Sequence, residues 1–314
     1  MKNKEFRKYL EGKNLAVRTQ QEYLTSVKRF FKWAKTEDLQ VTKPDILKYL
    51  EYLKNKGLQN ITRSNHLLAL NHYFTFIYKD EQITQNPCLF IKIRGTVKKK
   101  LHKIYTPEEL EQLFDNYYLL FVQKYDDSRH RHEQQRHYSR LYRERNALIV
   151  SILFNQATTT SEIERIELGD IDLTKATIKI RGAKRLNDRN LPLKATQIGL
   201  FINYLQNIRP QLLEYQTVES EKLFLPLPAI SYKKTEKQMT NNVFTPLAAQ
   251  MKSIDKQFID FTQIRASVIT FWIKTVGLRK AQHLAGYRNI SSTEKYVTND
   301  LENLIEDINK LHPF

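Results

Sequence analysis

A mainly α-helical protein with a small β-hairpin or sheet, an α+β chain in two domains, is what this sequence predicts, and three observations carry the prediction. At 314 residues the chain exceeds what one hydrophobic core usually organises, so a smaller front domain and a larger second one are expected. Only 8 glycines and 9 prolines interrupt long segments rich in Leu, Lys, Glu and Gln, the composition of helices. The helical period changes over Asp170 to Leu173 and Ala176 to Leu193, with alternation in the second stretch.

Along the chain, Lys2 to Leu10, Arg18 to Lys35, Pro44 to Lys56 and Thr62 to Lys79 place apolar residues at spacings of three and four, the pattern of four amphipathic helices. In the second, Tyr23, Val27, Phe30, Phe31 and Ala34 share one face, while Lys28, Arg29, Lys32 and Lys35 fall largely on the other. The helical pattern lapses from Ile91 to Lys103, a basic stretch holding Gly95, and resumes with Thr106, Pro107 and Glu109, an N-cap, a first-turn proline and a capping-box acid. The expected domains are therefore residues 1–95 and 106–314, joined by a basic linker at 96–105.

From Val122 to Arg145 the chain is polar and holds His130, His132 and His137. A helical zinc site needs histidines four apart on one face; His132 and His137 are five apart, so a solvated basic helix or loop is expected and no metal. A helix over Asn146 to Leu168 follows. Thr177 to Arg181 and Leu191 with Leu193 alternate around Asn187 and Asp188, which reads as a hairpin with Lys184 and Arg185 at its tip. A helix over Thr196 to Leu213, a polar loop from Leu223 to Thr240, a helix over Asn242 to Ile254 and a terminal amphipathic helix from Asp300 to Leu311 complete the reading.

Charge narrows the partner. The formal net charge is +17, beyond what solubility needs, and it is uneven: residues 1–100 hold 21 basic against 9 acidic residues, or +12, leaving +5 for the remainder. Such a front third is suited to a polyanion, double-stranded DNA first among them. The longest apolar run, around Leu148 to Phe154, is far short of the roughly 20 residues a membrane span takes, and no signal peptide is read at the start. Cys88 is the only cysteine, which fits a reducing cytoplasm and, given the charge, the nucleoid.

The chemistry concentrates in Phe261 to Val297. Arg265 can hold two phosphate oxygens in a bidentate fork, and Tyr296, nine residues after Tyr287, can act as a covalent nucleophile once its proton is drawn off.

These residues carry a resemblance that runs over nearly the full length. TQIRAS around Arg265, LAGY ending at Tyr287, Tyr296 nine residues on, RGAKRLNDRNLPL across the hairpin, NQATTTSEIERIELGDIDL from 155 to 173 and IYTPEELEQLF from 104 to 114 resemble motifs of the tyrosine recombinases, the integrase family of site-specific DNA recombinases. The resemblance implies a two-domain, C-shaped DNA clamp made of a helical, SAM-like core-binding domain and a catalytic domain. It implies Tyr296 as nucleophile, Arg265 as an arginine on the phosphate, Lys184 as the lysine that protonates the leaving oxygen, and no cofactor. Three positions depart from the pattern: Thr262 stands where a histidine is usual, Tyr287 where histidine or tryptophan is, and Thr159 where the family has its first arginine. Thr262 and Tyr287 can each still offer a hydrogen bond to a phosphate oxygen. Arg185 is the first candidate to replace the missing guanidinium, with Arg288 and Arg165 behind it, and its alternative role is a DNA-backbone contact. The implied assembly is a homo-tetramer on two duplexes, with Asp300 to Phe314 packing on a neighbouring protomer. The resemblance also leaves room for an accessory DNA-bending protein, and implies the recombinase of a mobile element; the alternative is a catalytically weak DNA-binding relative working beside an active partner. A type IB topoisomerase is a poorer match, because the small front domain is of the integrase type.

Overall fold

The computed structural model describes residues 3–35, 40–95, 103–126, 132–182, 186–214, 220–225 and 243–297. The chain divides into two compact units, Met1–Lys100 and Leu101–Phe314.

Four helices build the first unit: α1 (Asn3–Gly12), α2 (Val17–Ala34), α3 (Lys43–Asn55) and α4 (Asn60–Lys79). Each buries the apolar stripe its sequence prescribes, with Leu24, Val27 and Phe30 inward on α2 and Lys28, Arg29, Lys32 and Lys35 exposed. The core is aromatic. Phe6 meets Tyr73 edge-on at 5.1 Å and Phe30 meets Tyr49 at 5.0 Å, arrangements that put positive ring edges on negative ring faces. Cys88 is a free, buried thiol within this core.

The second unit begins with α5 (Pro107–Tyr118), capped as expected: the Glu109 amide donates to Thr106 Oγ1 at 3.2 Å and the Thr106 amide to Glu109 Oε2 at 2.9 Å. Its central helix is α6 (Glu133–Asn155), which packs against α5, the later α8 (Ala195–Asn203) and the long α11 (Phe261–Ala285). Here the structure corrects the sequence reading twice. The helix expected from Asn146 starts at Glu133, because the polar stretch is amphipathic after all: Leu141, Arg143 and Arg145 face inward. Arg145, fully buried, is satisfied by donating to the Leu225 carbonyl at 2.6 Å and to Asn146 Oδ1 at 2.9 Å. The same helix does not run to Leu168. It stops at Asn155, Ala157 takes a left-handed φ of 46°, and a short helix α7 (Thr160–Ile163) restarts after an N-cap at Thr159.

The hairpin is present and belongs to a three-stranded antiparallel sheet, β1 (Ile171–Asp172), β2 (Thr177–Ile180) and β3 (Arg189–Pro192), with Ile178 opposite Leu191 and Ile180 opposite Arg189. Strand β1 lies within Asp170 to Leu173, where the sequence leaves the helical period. The helix expected from Thr196 to Leu213 is α8 and α9 (Arg209–Leu213) joined through a π-helical turn at Tyr204–Ile208. After α10 (Thr245–Ile254) comes α11, interrupted at Gly277, whose φ of 81° and ψ of 162° no helix contains. Residues 291–297 form a last described helical segment, α12. The terminal segment from Asp300, most of the 223–240 loop and His130 lie outside the described residues. Among the described residues no helix is long and apolar enough to cross a membrane.

Candidate active site

The site grows from the first turns of α11. Asp260 caps this helix, its carboxylate accepting from the Thr262 and Gln263 amides, and one turn in Arg265 points into the unit, where it is buried. Two carbonyls at or just past helix ends hold its guanidinium. Nη1 donates to the Ala157 carbonyl, just past the end of α6, and Nη2 donates to the Ala285 carbonyl at 2.7 Å, at the end of α11. Carbonyls at helix C-termini lack intrahelical partners and carry the negative end of the helix dipole, so both attract a buried cation. The left-handed turn at Ala157 aims the first of them.

Gly286, at φ 75°, ends α11 in the left-handed conformation that glycine adopts without strain. Tyr287 follows directly. Its ring lies 5.0 Å from the Arg265 guanidinium carbon in a cation–π contact, and its hydroxyl accepts from Arg265 Nε at 3.4 Å. Helix α12 returns Tyr296 to the same place. The two tyrosine oxygens stand 2.8 Å apart, their rings stacked at 6.2 Å. Arg265, Tyr287 and Tyr296 thus form one hydrogen-bonded line, with the cation at one end and the half-buried Tyr296 at the other. Burial, followed by the neighbouring Tyr287, pushes the Tyr296 hydroxyl well above the usual phenol range, while Arg265 draws it back down. Tyr296 rests as a neutral phenol, so any attack by its oxygen would require the proton to leave. Either oxygen can be the donor across the 2.8 Å contact between the two hydroxyls, so it offers a route by which the Tyr296 proton can pass to Tyr287.

Behind this line lies a buried ion cluster that the sequence reading missed. Glu162 and Arg189 are both fully buried, with Arg189 Nη1 donating to Glu162 Oε1 at 2.6 Å. The other carboxylate oxygen lies 3.6 Å from Arg265 Nη1 and accepts from the Thr159 amide at 2.8 Å and the Thr159 hydroxyl at 3.0 Å. Burial raises the Glu162 carboxyl, yet the Arg189 hydrogen bond and charge, then Arg265, outweigh it and hold the group below the usual carboxylate range. Signals for both residues were in the sequence. Thr159 and Glu162 have capping-box spacing, and Arg189 alternates with Leu191 and Leu193, which places it on the inward face of β3.

The hairpin is pinned to the tyrosine turn. Leu186 forms a β-bridge with Tyr287, and the Asn187 amide donates to the Gly286 carbonyl at 2.7 Å. Lys184 and Arg185, three and two residues before Asn187, lie outside the described residues. Thr262 is exposed on the first turn of α11 and makes no side-chain bond to Arg265, Tyr287 or Tyr296 in the structure. Arg288 is exposed too, and Arg165 donates to the Arg181 carbonyl at 3.3 Å, on the sheet.

Comparison with known proteins agrees with this geometry. Residues 130–303 match the model of the phage integrase family, and residues 3–84 match that of the phage integrase N-terminal SAM-like domain. The chain is 26% identical to the tyrosine recombinase XerC of Natranaerobius thermophilus, over 98% of this chain and 97% of that one. In fold it is similar to the XerH site-specific recombinase bound to palindromic difH substrate in a post-cleavage complex, with a TM-score of 0.66 at 19% identity over 96% of this chain and 82% of that one. It is also similar to lambda integrase, solved as a tetramer bound to a Holliday junction, with a TM-score of 0.58 at 14% identity over 93% of this chain and 74% of that one.

Proposed function

Since the chain belongs to the phage integrase family, the tyrosine recombinases, we propose that it cuts and rejoins double-stranded DNA at specific sites through a 3′-phosphotyrosyl bond at Tyr296. The observation that carries the assignment of the nucleophile is the line from Arg265 through Tyr287 to Tyr296, which couples a phenol to a buried cation.

In the proposed step the Tyr296 oxygen attacks the scissile phosphorus, an oxygen–phosphorus bond forms, and the 5′-oxygen leaves. The tyrosine proton passes along the hydrogen bond to Tyr287, which releases its own to solvent. Lys184 gives a proton to the departing 5′-oxygen. The phosphotyrosine keeps the energy of the broken ester, so attack by a second strand's 5′-hydroxyl reverses the chemistry and joins the new partner. Positive charge beside the phosphate stabilises the transition state, where negative charge builds on its oxygens. Arg185 on the same hairpin tip is a candidate for contact with that phosphate or with the neighbouring backbone.

The basic first unit supplies the sequence-independent part of DNA affinity through exposed groups such as Lys28, Arg29 and Lys32. We assign the protein to a mobile element, acting as a homo-tetramer in which the amphipathic segment from Asp300 packs on a neighbour, with room for an accessory DNA-bending protein. Thr159, whose hydroxyl is taken up by Glu162, favours a second reading, a weakly catalytic relative that binds DNA beside an active recombinase.

The test is incubation of the full chain with nicked duplexes tiled across the DNA flanking its gene, followed by denaturing gel analysis. A nick lets the short product diffuse away and traps the covalent complex. A denaturant-stable adduct on one site is expected; retention of that site without any adduct supports the second reading and overturns the first.

A further inference from the structure

We propose that Arg189 is the second guanidinium that grips the scissile phosphate. The inference rests on the recombinase reading and deepens it by naming a residue the reading lacks.

Arg189 uses only one of its three nitrogens. Nη1 pairs with Glu162, while Nε and Nη2 are buried with no hydrogen-bond partner among the described residues. The two vacant nitrogens are not a random pair. Their N–H bonds run side by side along one edge of the planar group, the fork that takes two oxygens of a phosphate at once. A buried donor left unpaired costs about 1–3 kcal/mol, so two on one edge call for a partner with two adjacent acceptors.

Charge points the same way. Glu162 carries one negative charge and touches two guanidiniums, Arg189 at 2.6 Å and Arg265 at 3.6 Å. The cluster is left with a buried surplus of one positive charge, and burial makes an uncompensated charge expensive. An anion in the pocket offsets it.

Position completes the case. Arg189 Nη1 lies 2.7 Å from where a side chain on Gly286 would begin, so the guanidinium rests against the residue that precedes Tyr287. Arg265 already spends one N–H from each of its three nitrogens within the protein, which leaves it no free edge of two adjacent donors like that of Arg189. Arg165 also has a buried Nε without a partner among the described residues, but its Nη2 donates to the Arg181 carbonyl, so it lacks a vacant two-nitrogen edge; Arg288 is exposed. Position 159, a threonine, spends its hydroxyl on Glu162. Because Arg189 is fully covered, the side chains over the vacant fork must move aside as DNA binds, so that the phosphate enters along it. Arg189 thereby takes two nonbridging oxygens while Glu162 keeps it aligned with Arg265.

The experiment compares two nicked duplexes of the cleaved site, one with the natural scissile phosphate and one with a methylphosphonate, in which a methyl group replaces a nonbridging oxygen and removes the charge. With Arg189→Ala the adduct rate on the natural phosphate is expected to fall about 10²- to 10³-fold, and the loss on methylphosphonate to stay under about tenfold, because no charge remains to neutralise. Arg189→Lys keeps a cation beside Glu162 and protects the fold, which thermal melting checks. It loses the fork, so an intermediate loss on the natural phosphate, larger than its loss on methylphosphonate, is expected. Equal losses on both substrates overturn the proposal and make Arg189 a positioning residue for Glu162; so does a lysine variant as fast as the unaltered protein. Absence of an adduct from the unaltered protein on every duplex is a different failure, since it removes the recombinase reading itself and this assignment with it.

Discussion

Replacing Tyr296 with phenylalanine is expected to abolish the covalent protein–DNA adduct while leaving the fold and the retention of DNA intact. The substitution removes one oxygen and keeps the ring, which stacks on Tyr287 at 6.2 Å. Loss of a hydrogen bond between two half-buried phenols costs about 1 kcal/mol, too little to unfold the second unit. The proposed chemistry, by contrast, loses its nucleophile outright. Tyr287→Phe separates the two hydroxyls by role: it breaks the line from Arg265 at 3.4 Å and from Tyr296 at 2.8 Å, and is expected to slow the adduct about 10²- to 10⁴-fold, as removal of a proton-transfer partner does, without eliminating it. Gel quantification of the adduct with each variant checks both. Loss with Tyr287→Phe and survival with Tyr296→Phe would exchange their roles.

The largest stability effect is expected at Glu162. Its carboxylate is wholly buried and satisfies Arg189, the Thr159 amide and hydroxyl, and the charge of Arg265. Glu162→Ala leaves two buried guanidiniums facing each other with no anion between them. Breaking a buried ion pair from one side costs about 3–5 kcal/mol, a large share of the total for a domain. The denaturant midpoint of the second unit should fall accordingly, and adduct formation with it, because Arg265 and Arg189 lose the group that aligns them. Linkage gives a second signature. Glu162 is held below its ordinary range in the folded state, so near its unfolded value of about 4.3 the unfolded chain binds more protons. The stability it contributes is present in full above that pH and is lost as pH falls through the lower folded value. Glu162→Gln, which cannot titrate, should flatten this acid limb in pH-dependent melting; an unchanged acid limb would remove Glu162 from the account.

Much of this architecture was legible because burial imposes period on sequence. The first unit is the plainest case, since helices α1 to α4 each press a stripe such as Leu24, Val27 and Phe30 against aromatic partners. The start of α6 was hidden because Arg143 and Arg145 occupy inward positions that a count of apolar residues scores as polar. Its end was hidden for a different reason: Ala157 turns left-handed to present its carbonyl to Arg265, a long-range demand that no local propensity records. The meeting of Arg265, Tyr287 and Tyr296 was foreseeable from their spacing, whereas the ion cluster was not. Its members, Glu162 and Arg189, come from a short capped helix and an edge strand 27 residues apart, and only the fold shows that they share one carboxylate with Arg265. Thr262 illustrates the converse. Motif position brought it to notice, yet the first turn of α11 leaves it exposed, its amide spent on the Asp260 cap.

The cation-coupled pair of phenols is proposed to perform phosphoryl transfer with Tyr296 as nucleophile. The most direct measurement is mass analysis of the trapped adduct after nuclease trimming and trypsin digestion. Arg288 and Lys295 lie between the two tyrosines, so Tyr287 and Tyr296 fall on different tryptic peptides. A nucleotide mass on the peptide that begins at Tyr296 is the predicted result; the same mass on the peptide ending at Arg288, or on neither, contradicts the account.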